Sequence, residues 1–174
     1  MKKIVLNSVD STNDYIKDRI DGFRENVMVI AREQTAGRGQ FDRVWYAETG
    51  KSLTVSFLLW NFKNKKRLRD DALRRIPYDV SKELNKKFDI DSEVVLPNDL
   101  YVGERKLCGF LIETSYELKE LQYAIVGIGL NVNNDKFPLE LSGTAISIKK
   151  LVGKAVSIDD IIRLLEKCME RLYA

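Results

Sequence analysis

Residues 106–114 read Lys106-Leu107-Cys108-Gly109-Phe110-Leu111-Ile112-Glu113-Thr114, and residues 122–128 read Gln122-Tyr123-Ala124-Ile125-Val126-Gly127-Ile128. Both are short, largely apolar runs of strand length. Upstream, Val94 to Leu96 and Leu100 to Val102 are strand pieces around the turn signal Pro97-Asn98-Asp99. Further out lie a β-branched and apolar strand, Leu53 to Leu59, a buried strand, Val27 to Ala31, and a short opening strand, Ile4-Val5-Leu6. Ser11-x-x-Asp14 is a capping box, followed by Tyr15, Ile16, Arg19 and Ile20 at helical spacing. A charged helix is expected over about 66 to 87, with Pro77 near an internal start or kink. Ser157-x-x-Asp160 opens a last helix, whose apolar face is Ile158, Ile161, Ile162, Leu165, Cys168, Met169 and Leu172. Strands outnumber helices and cluster as hairpins in the middle. The expected class is therefore α+β, a mixed central β-sheet with helices packed mainly on one face. No linker, repeat or low-complexity tract divides residues 1–174, so a single domain is expected.

Composition narrows the chemistry. The 174 residues include no histidine, which excludes a Ser-His-Asp triad, a Cys-His pair, an H-E-x-x-H zinc site and any imidazole base. Cys108 and Cys168 lie far apart and outside any C-x-x-C pair, so neither structural zinc nor a disulfide framework is indicated. Chemistry here falls to Lys, Arg, Asp, Glu, Asn, hydroxyls, backbone amides or a bound cofactor. The net charge of +3 is too mild to imply nucleic acid. A basic run, Lys63, Lys65, Lys66, Arg67, Arg69, Arg74 and Arg75, is either a solvated helix start or a patch for an acidic partner. Met1 to Leu6 soon meets the polar Asn7 and Ser8, and no apolar run approaches the ~20 residues that span a bilayer. A soluble, cytoplasmic protein is expected, with no membrane partner.

Five short segments can carry chemistry. The loop Gln34-Thr35-Ala36-Gly37-Arg38-Gly39-Gln40-Phe41-Asp42-Arg43-Val44-Trp45 follows a strand. Its glycines let backbone N–H groups approach an anion, Arg38 and Arg43 can bind phosphate, and Trp45 offers a stacking face. It is neither a Walker A loop nor a Rossmann fingerprint, and by spacing alone a surface hairpin or Ω-loop serves equally. Ser11-Thr12-Asn13 also reads as a helix cap, Pro97-Asn98-Asp99 as a turn, and Gly127-x-Gly129-x-Asn131 as a bulge or close backbone approach. Lys106 also reads as an ordinary strand-end lysine.

The order of these segments is more specific than any one of them. Ser11-Thr12-Asn13, Gln34-x-Ala36-Gly37-Arg38-Gly39-x-x-x-Arg43-x-Trp45, Pro97-Asn98-Asp99, Lys106-Leu107-x-Gly109-x-Leu111-x-Glu113 and Gly127-x-Gly129-x-Asn131 together resemble the catalytic domain of biotin protein ligases, over residues 4 to 172. The resemblance implies a fold of the class II aminoacyl-tRNA synthetase and biotin ligase type. It implies formation of biotinyl-5′-AMP from biotin and ATP, then transfer of biotin to a lysine of a carboxylase carrier domain. By resemblance, Lys106 would bridge the biotin carboxylate and the α-phosphate, with Arg43 and Arg38 as its catalytic companions. Ser11, Thr12, Asn13 and Gln34 would hold the ureido ring under the Gly37-Arg38-Gly39 backbone, with Leu107 and Gly109 opposite the valeryl chain. Gln40, Arg43, Trp45, Asn98 and Asn131 would meet the nucleotide. Asp99 would help place Mg²⁺.

The sequence departs from the family pattern at four positions. Gln40 replaces an arginine that in the family helps hold the adenylate, Asp42 replaces a loop glycine, and Val95-Leu96 replace a Lys-Trp pair. Each lost charge-assisted contact costs about 1.5–3 kcal/mol, so weakened adenylate retention is expected. With no helix-turn-helix read before Ile4 and no small C-terminal β-domain read after the last helix, a form without these two family domains, and no DNA partner, is expected. A homodimer through a sheet edge is left open. Two rival readings remain: a degenerate homologue that binds biotin or nucleotide without turnover, and a lipoate or octanoate ligase or transferase. The latter typically carries a histidine after its loop.

Overall fold

In the computed structural model, residues 1–40, 43–60 and 70–173 are described. Seven strands form one sheet: β1 (Lys2–Val9), β2 (Val27–Gln34), β3 (Ser52–Trp60), β4 (Glu93–Val95), β5 (Asp99–Val102), β6 (Arg105–Glu117) and β7 (Glu120–Asn131). Their order is β1-β2-β3-β7-β6-β5-β4. The β6–β7 hairpin expected from the two quoted runs forms, with both strands longer than the sequence indicates. The β1–β2 pair is parallel and every other pair is antiparallel, which makes the sheet mixed.

A parallel pair needs a crossover, and α1 (Thr12–Lys17) lies within the connection from β1 to β2. Ser11 caps α1 by accepting a hydrogen bond from the Asp14 N–H at 3.3 Å, as the capping box predicts. Helix α2 (Asp70–Phe88) runs unbroken through the buried Pro77, and residues 66–69 of the expected helix lie outside the described residues. A proline in mid-helix removes one backbone bond, and burial of this residue beside Ile76 and Val80 offsets that loss. Helix α4 (Ile158–Glu170) is capped by Ser157 and buries Ile161, Ile162, Leu165, Cys168 and Met169. The five-residue α3 (Ile148–Val152) has no counterpart in the sequence reading, because one turn shows no apolar period.

Strand alternation divides the interior in two. Met28, Ile30, Val55, Phe57, Val126 and Ile128 face α2 and α4 in the main core. Their neighbours Val27, Val29, Leu58 and Ile125 join Ile16 and Phe23 in a smaller cluster around α1. The two longest helices thus share one face, as expected, and α1 sits on the other. Among the described residues no helix is long and apolar enough to cross a membrane. Most of the basic run, residues 63 to 69, and the Asp42 departure lie outside the described residues.

Candidate active site

Beyond the small α1 cluster, the second sheet face changes character. Thr54 and Ser56 of β3, and Gly127, Gly129 and Asn131 of β7, stand at the alternate positions to the main-core residues. With Gly109 and Leu111 of β6, all of these but the fully buried Ser56 line a cavity of about 540 Å³. The two β7 glycines are required by close approach. A Cβ at Gly127 would collide with Asn13 Oδ1, and one at Gly129 would lie 2.6 Å from Trp45 Nε1.

One end of the cavity is uncharged and tightly bonded. Gln34 Oε1 accepts from the Thr12 backbone N–H at 2.8 Å and from Thr12 Oγ1 at 2.9 Å. The buried Ser56 hydroxyl lies 2.7 Å from Thr12 Oγ1 and 2.5 Å from Asn13 Oδ1. Asn13 Nδ2 donates to the Leu111 carbonyl at 3.2 Å and to Glu113 Oε2 at 2.8 Å. Ser11 completes this wall. Ser56 is absent from the sequence reading. Its signal was the pair Thr54 and Ser56, two hydroxyls at strand spacing inside an apolar run.

The other end carries Lys106 with Asp99, Trp45, Asn98 and Asn131. Lys106 and Gly109 are three residues apart, so strict alternation would put them on opposite faces. The pairing shifts between Leu100↔Cys108 and Tyr101↔Lys106, which makes Leu107 an extra residue on β6. That bulge turns Lys106 into the cavity. It also corrects one expectation: Leu107 is fully buried in the main core and is not a wall of the cavity. Lys106 Nζ sits 2.8 Å from Asp99 Oδ2 and 5.6 Å from the Trp45 ring centre. The backbone at Lys106 is fixed from both sides, its N–H donating to Thr144 O at 2.7 Å and its carbonyl accepting from Ile146 N at 3.0 Å. Asn131 Nδ2 donates to the same carbonyl at 3.3 Å, and Asn98 Nδ2 donates to the Phe110 carbonyl.

The glycine loop bridges the two ends. Gly39, Gln40, Arg43 and Trp45 line the cavity, while Gly37 is buried behind it. Gly39 N donates to Arg43 O at 2.7 Å and Trp45 N to Gly37 O at 2.9 Å, closing the loop on itself. Arg38 also borders the cavity, and its guanidinium is paired with Asp14. Phe137, Leu141, Thr144 and Ala145 add a wall with no motif in the sequence, since their segment reaches the site only by pairing with Lys106.

A model of the biotin/lipoate A/B protein ligase family matches residues 5–131. The chain belongs to that family. It is 30% identical over 158 residues to the bifunctional ligase/repressor BirA of Bacillus spizizenii, covering 86% of this chain and 46% of that protein. It is 27% identical over 183 residues to the biotin–[acetyl-CoA-carboxylase] ligase of Paracoccus denitrificans, covering 98% of this chain and 72% of that protein. The solved biotin protein ligase from Aquifex aeolicus in complex with biotin and ATP matches with a TM-score of 0.81 and 30% identity, over 98% of this chain and 70% of that one. The chain spans about half the length of the BirA relatives it matches.

In this member of the family the Cys108 thiol beside the site is fully buried. Burial pushes the Cys108 thiol well above the ordinary range, against the opposing pull of Lys106. Among the described residues no group of three or more His, Cys, Asp or Glu is placed to hold a metal ion. Asp99 is the one carboxylate among the described lining residues, and Lys106 already pairs with it.

Proposed function

We propose that this chain is an ATP-dependent biotin–protein ligase. The observation that carries the reading is one cavity with two unlike ends: a neutral, hydrogen-bonding end and an end where the bulge aims Lys106. At the neutral end, Gln34 spends its Oε1 on Thr12, which leaves its amide N–H groups for a ligand carbonyl. The ureido oxygen of biotin supplies such an acceptor, and Ser11, Thr12 and Asn13 frame it. Gly109 lines the cavity where Trp45 and Lys106 pack close against it, and an acyl chain would run along this wall.

Lys106 then meets the carboxylate of that chain. A carboxylate oxygen of biotin would attack the α-phosphorus of ATP, forming biotinyl-5′-AMP and releasing pyrophosphate. Two anions must approach, so the cations Lys106 and Arg43 offset the repulsion. Trp45 and the oxygens of Asn98 and Asn131 would take the adenosine. A carrier-domain lysine amine would next attack the acyl carbon, forming an amide and releasing AMP. Asp99, paired with Lys106 in this structure, would be the protein contact for a Mg²⁺ bound to the ATP phosphates, an ion that takes few protein carboxylates and would offset phosphate charge.

Biotin-dependent exchange of labelled pyrophosphate into ATP tests the reading. Exchange is expected in the wild type and is expected to fall by about 10²–10³ in Lys106→Ala, the usual cost of one transition-state donor. A wild type that binds biotin and shows no exchange above Lys106→Ala supports the binding-only rival. Exchange driven by lipoate or octanoate and not by biotin supports the lipoyl rival. Gln40 is proposed to leave the adenylate loosely held. Release of biotinyl-5′-AMP should slow by about tenfold in Gln40→Arg, one charge-assisted contact, and equal release rates reject that part.

A further inference from the structure

Arg38 stands on the glycine loop, where a phosphate-binding role is the simple expectation. Its bonds point to another role. Arg38 Nε donates to Asp14 Oδ2 at 2.9 Å, and its Nη2 donates to Asp14 Oδ1, a two-point fork. Glu113 Oε1 stands 3.9 Å from the same Nη2. Lys17 Nζ lies 2.5 Å from Glu113 Oε1 and 3.9 Å from Asp14 Oδ1. Two cations and two carboxylates thus join α1, the loop and β6, and their charges cancel.

This cluster is bonded to the neutral wall of the cavity. Glu113 Oε2 accepts from Asn13 Nδ2, and Asp14 follows Asn13 directly on the capped turn of α1. The root of the loop is tied by backbone bonds, Thr35 N to Val9 O at 2.9 Å and Ala36 N to Asp10 O at 3.0 Å. Beyond that root, the Arg38 fork joins the loop to α1. A guanidinium held by a bidentate carboxylate has its charge offset, and its planar donors fix orientation as well as distance.

We propose that Arg38 is a positioning residue: its ion pair with Asp14 tethers residues 37–40 to helix α1 and keeps the neutral end of the cavity assembled around its ligand, while phosphate is left to Lys106 and Arg43. The biotin part of this inference rests on the function proposed above.

The test compares Asp14→Asn, Arg38→Met and the double variant in the intact chain. Amide hydrogen exchange of residues 37–40 and 43–46 is measured without ligand, and affinities for biotin and for ATP are measured separately. Each single variant should speed loop exchange and weaken biotin by about three- to tenfold, the scale of a partly exposed bidentate pair. The double variant should be no worse than the weaker single, because both changes break one contact. Asp14→Glu should restore part of both losses, and ATP affinity should stay at the wild-type value throughout. The tether is overturned if Asp14→Asn leaves loop exchange unchanged, or if the losses multiply in the double variant. It is also overturned if Arg38→Met lowers ATP affinity with loop exchange intact. A wild type that binds no biotin would sink the proposed function alone, since the exchange measurement still decides the tether.

Discussion

The same two strands, β3 and β7, build two unlike surfaces. On one face Val55, Phe57, Val126 and Ile128 are almost wholly buried against α2 and α4. On the other, Thr54, Gly127, Gly129 and Asn131 form the floor and wall of a cavity, with Ser56 buried behind Thr12 and Asn13. The first face is filled by side-chain volume and tolerates little loss of it. The second is made by missing volume, and its glycines are places where Asn13 and Trp45 already sit. Stability is therefore concentrated on one face and the shape of the candidate site on the other.

Substitutions on the two faces should separate these roles. Phe57→Ala removes a fully buried ring from the closed face and should cost about 3–5 kcal/mol of unfolding free energy. Urea denaturation checks it, and a loss comparable to a surface substitution would break the comparison. Gly127→Ala adds one methyl to the open face, against Asn13, which is held by Leu111, Glu113 and Ser56. It should cost about 1–3 kcal/mol as overpacking and weaken biotin more than it weakens ATP. Calorimetry with each ligand reads the difference, and equal losses would place Asn13 outside the biotin end.

The smallest effect is expected at the outer side of the closed face, where Arg171 Nη1 bonds Glu83 Oε1 at 2.6 Å. That hydrogen bond, with the nearby positive charges, holds the Glu83 carboxyl below the usual range against the opposing effect of burial. A depressed carboxyl contributes stability above its unfolded value and loses it as pH falls through the folded one. Arg171→Leu should thus lower the melting temperature slightly at pH 7 and make no difference at strongly acidic pH. Arg171 is largely exposed and Glu83 partly so, and a large shift at pH 7 would therefore contradict this assignment.

Much of the closed face was legible in the sequence because its signals are local. The last helix shows its apolar face in Ile161, Ile162, Leu165 and Met169, and all four are buried as a 3.6-residue period requires. Ser11 and Ser157 cap the helices they precede. The open face was legible only as a set of motifs. Lys106 and Gly109 were singled out together, yet only the bulge at Leu107 explains how both reach the cavity, and it sends Leu107 to the core. Ser56 shows in the sequence only as one of two hydroxyls at strand spacing, and its role emerges when Asn13, forty-three positions away, is packed on it.

The sequence by itself determined the strands, the capped helices, the exclusion of imidazole chemistry and the ordered motif set that marks the family. Those properties depend on periods of two and 3.6 residues, on composition and on residue order, all written along the chain. Tertiary structure alone decided which way each functional side chain faces and what it is bonded to. Arg38 reads in the sequence as a cation for phosphate, and in the fold it is paired with Asp14 and flanked by Glu113. A charge takes its role from its neighbours, and here the neighbours come from two other elements, α1 and β6, that the fold brings to the loop.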